Sequence, residues 1–325
     1  MILAALVMLG GCSSAPVERT SPSVPVTTSA VPDVSVKYSA RRQATIAVMN
    51  GDGLVAAAGA VWVKTDDGRA VRIDPATNRV TDELKLDTVA DESQYCQGIG
   101  TDGLSVWACA TADDGTGLAQ IDPKARRVLR RVSVGKVFDQ LALPSAGRGV
   151  WVLTADGTRA SVVEPATGRV TAYPLGSRYL QLAALADRVV ATSATENAVV
   201  VLDAANGAVV GRMSLPKPGM AALAGTDLWI DTEAGVARVT RGLVTRSVYT
   251  NLGAGSGGDL IAAAGAVWVR GSDGAITKVD LASGRVVERI TPEQPLTAGS
   301  LLVAFGSIWT TSSDQGIVVR LRLEP

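Results

Sequence analysis

The sequence predicts an all-β chain, a seven-bladed β-propeller of four-stranded antiparallel blades. Three observations support this. First, all six tryptophans fall in one frame: Trp62, Trp107, Trp151, Trp229, Trp268 and Trp309, with gaps of 45, 44, 78, 39 and 41 residues. The gap of 78 is two periods, and at its midpoint Val190 stands where the frame calls for Trp. Second, short apolar runs beside each marker are separated by Asp-Gly and Asn-Gly turns, which supply the positive φ that tight hairpins require. Third, the chain of 325 residues is 47% hydrophobic and carries 34 glycines and 14 prolines without a collagen-like period. That is enough apolar material for a large core divided by many turns.

Each register reads as the same four elements. A short inner strand opens it, as in Leu54 to Gly59 and Leu260 to Gly265, and the marker strand follows, as in Val61-Trp62-Val63 and Val267-Trp268-Val269. After a turn such as Thr65-Asp66-Asp67-Gly68, a third strand ends in a second turn, such as Val163-Glu164-Pro165-Ala166-Thr167-Gly168. A fourth strand then runs outward. The tryptophans are expected between blades, where large aromatics supply much of the burial. The last register ends at its third strand, Ile317 to Leu323, while residues 43–48 precede the first inner strand with no blade of their own. The N-terminal strand at about 43–48 is therefore expected to complete the last blade and close the ring.

The segment before the propeller differs in kind. Met1 to Gly11 is apolar and ends Leu9-Gly10-Gly11-Cys12, which resembles a bacterial lipobox. The resemblance implies a signal peptide over 1–11 and lipidation of Cys12. Residues 12–37, rich in Ser, Thr, Pro and Val, are expected to form a disordered stalk, and 38–325 the propeller domain. The protein is then expected outside the cytoplasm, held to the cell membrane by acyl chains that tether without spanning.

The third-strand segments Val71 to Val80 and Ser161 to Val170 resemble the "V-x-V-I-D-x-A-T-G-x-V" segment of the bacterial YVTN and NHL-like propellers. The resemblance covers Arg41 to Leu323. It implies the fold strongly and a function weakly.

The chain has no histidine, so Ser-His-Asp and Cys-His catalysis and His-ligated zinc or copper are excluded. Basic and acidic residues both number 31, so a nucleic-acid partner is not expected. Pairing Thr101 with Leu104 in a hairpin sets Cys96 opposite Cys109, and export would let them form a disulfide. The acids between second and third strands, among them Asp67, Asp156, Glu196, Glu233, Asp273 and Asp314, are read as turn chemistry rather than a calcium rim. The basic runs Arg126-Arg127 and Arg130-Arg131 are read as a solvated outer edge. The inter-blade loops bring Tyr95, Phe138, Gln140, Arg178, Tyr179, Gln181 and Lys217 to matching positions before inner strands. These are the candidate ligand-binding residues, suited to an aromatic, glycan or anionic ligand. No cofactor and no metal is expected. The reading is a monomeric, non-catalytic envelope lipoprotein that binds a protein, peptide or glycan. The alternative is a calcium-dependent, lactonase-like hydrolase or lyase working with carboxylates alone.

Overall fold

The computed structural model describes residues 32–324 except 88–96, 113–114, 136–141, 155, 186 and 253–257. Seven sheets form seven blades, each with four antiparallel strands running from an inner to an outer strand. Blade one contains Gly51–Ala57, Ala60–Thr65, Arg69–Asp74 and Arg79–Lys85. Blade two contains Ile99–Thr101, Val106–Ala112, Gly115–Asp122 and Arg127–Ser133. Blades three, four and five open on Ser145–Ala146, Gln181–Leu185 and Ala221–Ala224 and repeat the same meander. Blade six opens on Asp259–Ala263, and blade seven runs Leu301–Ala304, Ser307–Ser312 and Ile317–Arg322.

The ring closes as the sequence predicts. Arg42–Ala47 pairs antiparallel with Ile317–Arg322, setting Ile46 opposite Val318, and the Val48 N–H donates to Gly316 O at 2.9 Å. The blade-seven sheet thus takes three strands from the C-terminus and one from the N-terminus.

Apolar packing is organised by junction. Seven clusters of buried residues each join two neighbouring blades, and each marker sits in the cluster toward the next blade. Trp62 joins blades one and two, Trp309 joins seven and one, and Val190 fills the junction of four and five with Val199, Val201, Leu228 and Ile230. All six tryptophans are fully buried. In blades three, six and seven the indole Nε1 donates to a carbonyl five residues earlier, at Ala146, Ala263 and Ala304, over 3.1–3.2 Å. In blades one and five Nε1 is buried without an acceptor, a polar cost that the aromatic burial outweighs. Among the described residues, the third-strand residue opposite the marker adds a cation over the ring in three blades. Arg238, Lys278 and Arg320 lie 5.5, 5.3 and 4.8 Å from the centroids of Trp229, Trp268 and Trp309.

Two expectations are corrected here. Folded chain begins before residue 38: Val34–Lys37 is a strand, parallel to Val286–Thr291 on the outer edge of blade six. It alternates Val with polar residues, and Asp33 forms a 2.7 Å ion pair with Arg285 at its start. The basic run is also more than a solvated edge. The Arg130 guanidinium donates to Pro165 O in blade three, and that of Arg131 donates to Leu86 O after blade one.

Between the two N-terminal strands, Tyr38 is buried among Trp268, Ile290, Leu296 and Ile308, and its hydroxyl donates to Gly274 O at 2.5 Å. Burial pushes its pKa well above the usual tyrosine value. The fold therefore favours the neutral phenol. The stability this contributes is complete below the unfolded value near pH 10 and is lost as pH rises through the raised folded value. Tyr38→Phe is expected to cost about 1–3 kcal/mol near neutrality, because it leaves the Gly274 carbonyl without its donor. It should also flatten the alkaline loss of stability. Urea unfolding at about pH 7 and about pH 11 checks both, with parallel declines for wild type and variant counting against it.

Candidate functional site

The inner strands of neighbouring blades pack around a central channel. It holds a cavity of about 440 Å³ to which all seven blades contribute, from Leu54 and Ile99 through Leu182, Met220 and Ile261 to Leu301. Most of its lining residues are apolar, and Asp259 and Ser300 are the polar side chains among the described lining.

Asp259 begins the inner strand of blade six, and Arg270 faces it across the sheet at the end of the next strand. One Asp259 oxygen accepts the N–H of Leu260 and the other that of Leu301 in blade seven, both at 2.7 Å. Arg270 is 0% exposed. Its Nε donates to Thr310 Oγ1 at 2.9 Å, and Nη2 donates to Leu296 O at 2.9 Å and Thr311 O at 3.2 Å. Ser300 Oγ and Thr311 Oγ1 then donate to Asp52 O in blade one, at 2.6 and 2.7 Å. This polar knot links blades six, seven and one across the closure. Burial raises the Asp259 pKa, outweighing the lowering effect of the two N–H groups and of Arg270. Burial likewise lowers that of Arg270.

The knot also carries a signal in the sequence. The residue two beyond each marker is Lys64, Cys109, Leu153, Thr192, Asp231, Arg270 or Thr311, and every one is buried. A charged residue at that offset, inside an otherwise apolar strand, marks a place where the protein must supply polar partners.

Of the candidate ligand-binding residues, Tyr95, Phe138 and Gln140 lie outside the described residues. Arg178 and Lys217 are exposed, and Lys217 Nζ lies 2.6 Å from Glu233 Oε1. Gln181 begins the inner strand of blade four, with its Oε1 buried and without a hydrogen-bond partner. Tyr179 is corrected: it is 0% exposed and belongs to the core between blades three and four. Its N–H donates to Gly157 O at 2.8 Å, and its hydroxyl accepts from Arg212 Nη1 at 3.1 Å. The loop turns in over Gly157, where an added Cβ would sit 2.3 Å from Tyr179 O, and so carries the ring beneath the rim.

The cysteine register also differs from expectation. Thr101 pairs with Val106, and the Cys109 N–H donates to Gly98 O, so Gly98 takes the place opposite Cys109. The shift arises because Asp102 Oδ1 closes a longer turn by accepting the N–H groups of Leu104 and Ser105. Cys109 is buried and disulfide-bonded. Its expected partner Cys96, and the lipidation candidate Cys12, lie outside the described residues.

Three of the acids between second and third strands serve their turns, while Glu233 pairs with Lys217 and Asp314 accepts from Thr297 Oγ1 at 2.5 Å. Asp67 accepts from Thr65 Oγ1 at 2.5 Å and Asp273 from the Ala275 N–H at 2.9 Å. Asp156 accepts from Thr154 Oγ1 and the Thr158 N–H, which hold its pKa down to about 2. Among the described residues, no three acids, cysteines or histidines come together to hold a metal ion.

No family model matches this chain, and no curated protein matches it. Solved structures do. The chain is similar to U3-55K, with a TM-score of 0.70 at 11% identity over 87% of this chain and 100% of that one. The RRP9 WD40 repeats give 0.70 at 10% identity over 89% and 99%. The Neurospora crassa Pan2 WD40 domain gives 0.68 at 9% identity over 87% and 95%. At such identities the likeness is one of fold, and it is the seven-bladed propeller that this chain shares with them.

Proposed function

We propose that the chain is an exported, lipid-anchored binding module, a non-catalytic scaffold for a protein, peptide or glycan partner in a bacterial cell envelope. The observation that carries this is Asp259, the acid of the channel lining, whose two oxygens are both taken by backbone N–H groups of adjoining blades. A chain without histidine, with its channel acid committed to structure, offers a substrate no acid–base pair there. The loops above the rim are then the working surface, and Arg178, Gln181 and Lys217 are the part of the candidate sector that lies at the rim. The fold shared with WD40 propellers agrees with a protein-interaction scaffold. The lipobox-like Leu9-Gly10-Gly11-Cys12 supports export and acylation of Cys12, and the repeated third-strand segment supports a relation to the YVTN and NHL-like propellers. The carboxylate-only hydrolase is the weaker reading, because Asp67, Asp156 and Asp273 are occupied in their turns and Glu233 and Asp314 bond to Lys217 and Thr297.

The test is affinity capture of the full chain from crosslinked envelopes of its own organism. A double Arg178→Glu, Lys217→Glu variant is run beside wild type, with labelled palmitate to read acylation. One envelope species enriched by wild type and reduced at least about tenfold by the variant is the expected result. No enriched species with either chain overturns the partner reading, and no palmitate on Cys12 overturns the anchor.

A further inference from the structure

In a four-stranded meander, the turn joining inner and second strands lies at the same end as the turn joining third and outer strands. In a propeller these ends share one face. The knot and the Arg178–Lys217 sector belong to the opposite face, where inner strands begin. The described chain enters on the turn face. Val34–Lys37 runs parallel to the outer strand of blade six, starting beside Arg285 at the third turn of that blade.

On blades two and seven that face carries exposed apolar tips, Leu104 and Phe305. Leu104, in the first turn of blade two, is 86% exposed. Phe305, in the first turn of blade seven, is 42% exposed at φ +53°. The same turn position holds Ala58 in blade one and Ala264 in blade six, both also at positive φ. A bulky aromatic in a left-handed conformation costs energy that alanine largely avoids, and it is kept here at a partly exposed position. Between and beside these tips stand Arg79, Lys124, Arg126 and Arg127, all exposed at the third turns of blades one and two. The acids nearby accept hydrogen bonds within their own turns, and Arg126 Nη1 lies 3.5 Å from Asp82 Oδ2 on the outer strand of blade one. Asp74 accepts from the Ala76 N–H and Thr77 Oγ1, Asp122 from the Lys124 and Ala125 N–H groups, and Asp102 from two N–H groups and Trp107 Nε1.

We infer that the turn face of blades seven, one and two docks on an anionic lipid bilayer. Phe305 and Leu104 enter the headgroup region while the four cations meet lipid phosphates. The inference deepens the proposed anchoring and rests on it for its setting in the cell. Two observations select a bilayer as the occupant: the cations complement anionic headgroups, and the chain that would lead to the anchor enters on this same face. The propeller then lies with its turn face to the membrane, and the rim bearing Arg178 and Lys217 faces outward to a partner.

The test uses the full chain with Cys12→Ser, so that no acyl group contributes, in co-sedimentation with phosphatidylcholine vesicles with or without phosphatidylglycerol. Binding is expected only with phosphatidylglycerol and is expected to weaken as salt rises. The pair Arg126→Glu, Arg127→Glu should lower partitioning roughly 25-fold or more, taking about fivefold per cation lost. Phe305→Ala, which restores the residue found in the sister turns, should lower it roughly tenfold while thermal unfolding stays unchanged. Arg178→Glu with Lys217→Glu, on the opposite face, should leave partitioning as it was. No binding to phosphatidylglycerol vesicles overturns the inference, and so does equal loss from the opposite-face pair. So would envelope capture lost through the turn-face variants while vesicle binding is unaffected, because the occupant is then a protein. Palmitate labelling of Cys12 is read separately, so failure of the anchor and failure of this face are distinguishable.

Discussion

Ile46→Asp should lower the stability of the full chain by about 3–5 kcal/mol, because it places an unpaired carboxylate inside a packed junction. Ile46 lies on the ring-closing strand and packs with Val61, Val63, Ile73, Trp309 and Val318 of blades one and seven. For a domain of this size the drop in melting temperature is on the order of 10 °C. Thr45→Asp is the control: one residue away on the same strand, its side chain faces solvent, and its effect should stay within about 0.5 kcal/mol. The contrast follows from the period of two along a strand. Thermal unfolding followed by circular dichroism reads it, and equal melting temperatures for the two variants would sink the account of closure. A chain beginning at Met49 goes further, losing the closing strand, the blade-six strap and Tyr38 together. It is expected not to fold, because blade seven would then expose Trp309 and Val318.

The ring was legible in the sequence because repetition multiplies a weak signal. One Val-Trp-Val says little, but six tryptophans in one frame, and Val190 at the seventh place, define an architecture. The closing strand was legible from the mismatch between a last register lacking a fourth strand and a first register with a spare one. The Val34–Lys37 strap was not. Four residues of alternating Val and polar side chains look like the end of a Ser/Val-rich stalk, and only the edge of blade six gives them a partner.

The candidate site was less legible. Matching positions before inner strands suggested a rim sector, but position does not determine which way a side chain turns. Arg178 and Lys217 point outward while Tyr179, beside Arg178, is drawn under Gly157 into the core. Turn length decided the cysteine register in the same way. Asp102 bonds to the N–H groups of Leu104 and Ser105 and so shifts the pairing that a minimal hairpin would have set. The polar knot was visible only as the charge of Arg270 inside an apolar strand, and its partners include groups distant in sequence, such as Asp52.

Arg270→Ala should destabilise the protein by about 3–5 kcal/mol, since it leaves the Leu296 and Thr311 carbonyls and Thr310 Oγ1 without their donor in a dry junction. Arg270→Lys keeps the charge but loses the planar fork that reaches three acceptors, and should fall between the two. A pH signature separates loss of the ion from loss of packing. The Asp259 pKa is raised in the fold by burial, and the Arg270 charge partly restrains that rise. An acid with a raised folded value contributes stability that is complete below the unfolded value near 3.9 and is lost as pH climbs through the folded value. Without Arg270 the folded value moves higher still, so the loss grows larger and extends further toward neutral pH. Urea unfolding of wild type, Arg270→Ala and Arg270→Lys between about pH 4 and about pH 8 measures the slopes. The alanine variant should show the steeper decline and the lysine variant a slope close to wild type. Parallel slopes for all three would mean that Arg270 acts on the closure through hydrogen bonds alone, and that its charge does not govern Asp259.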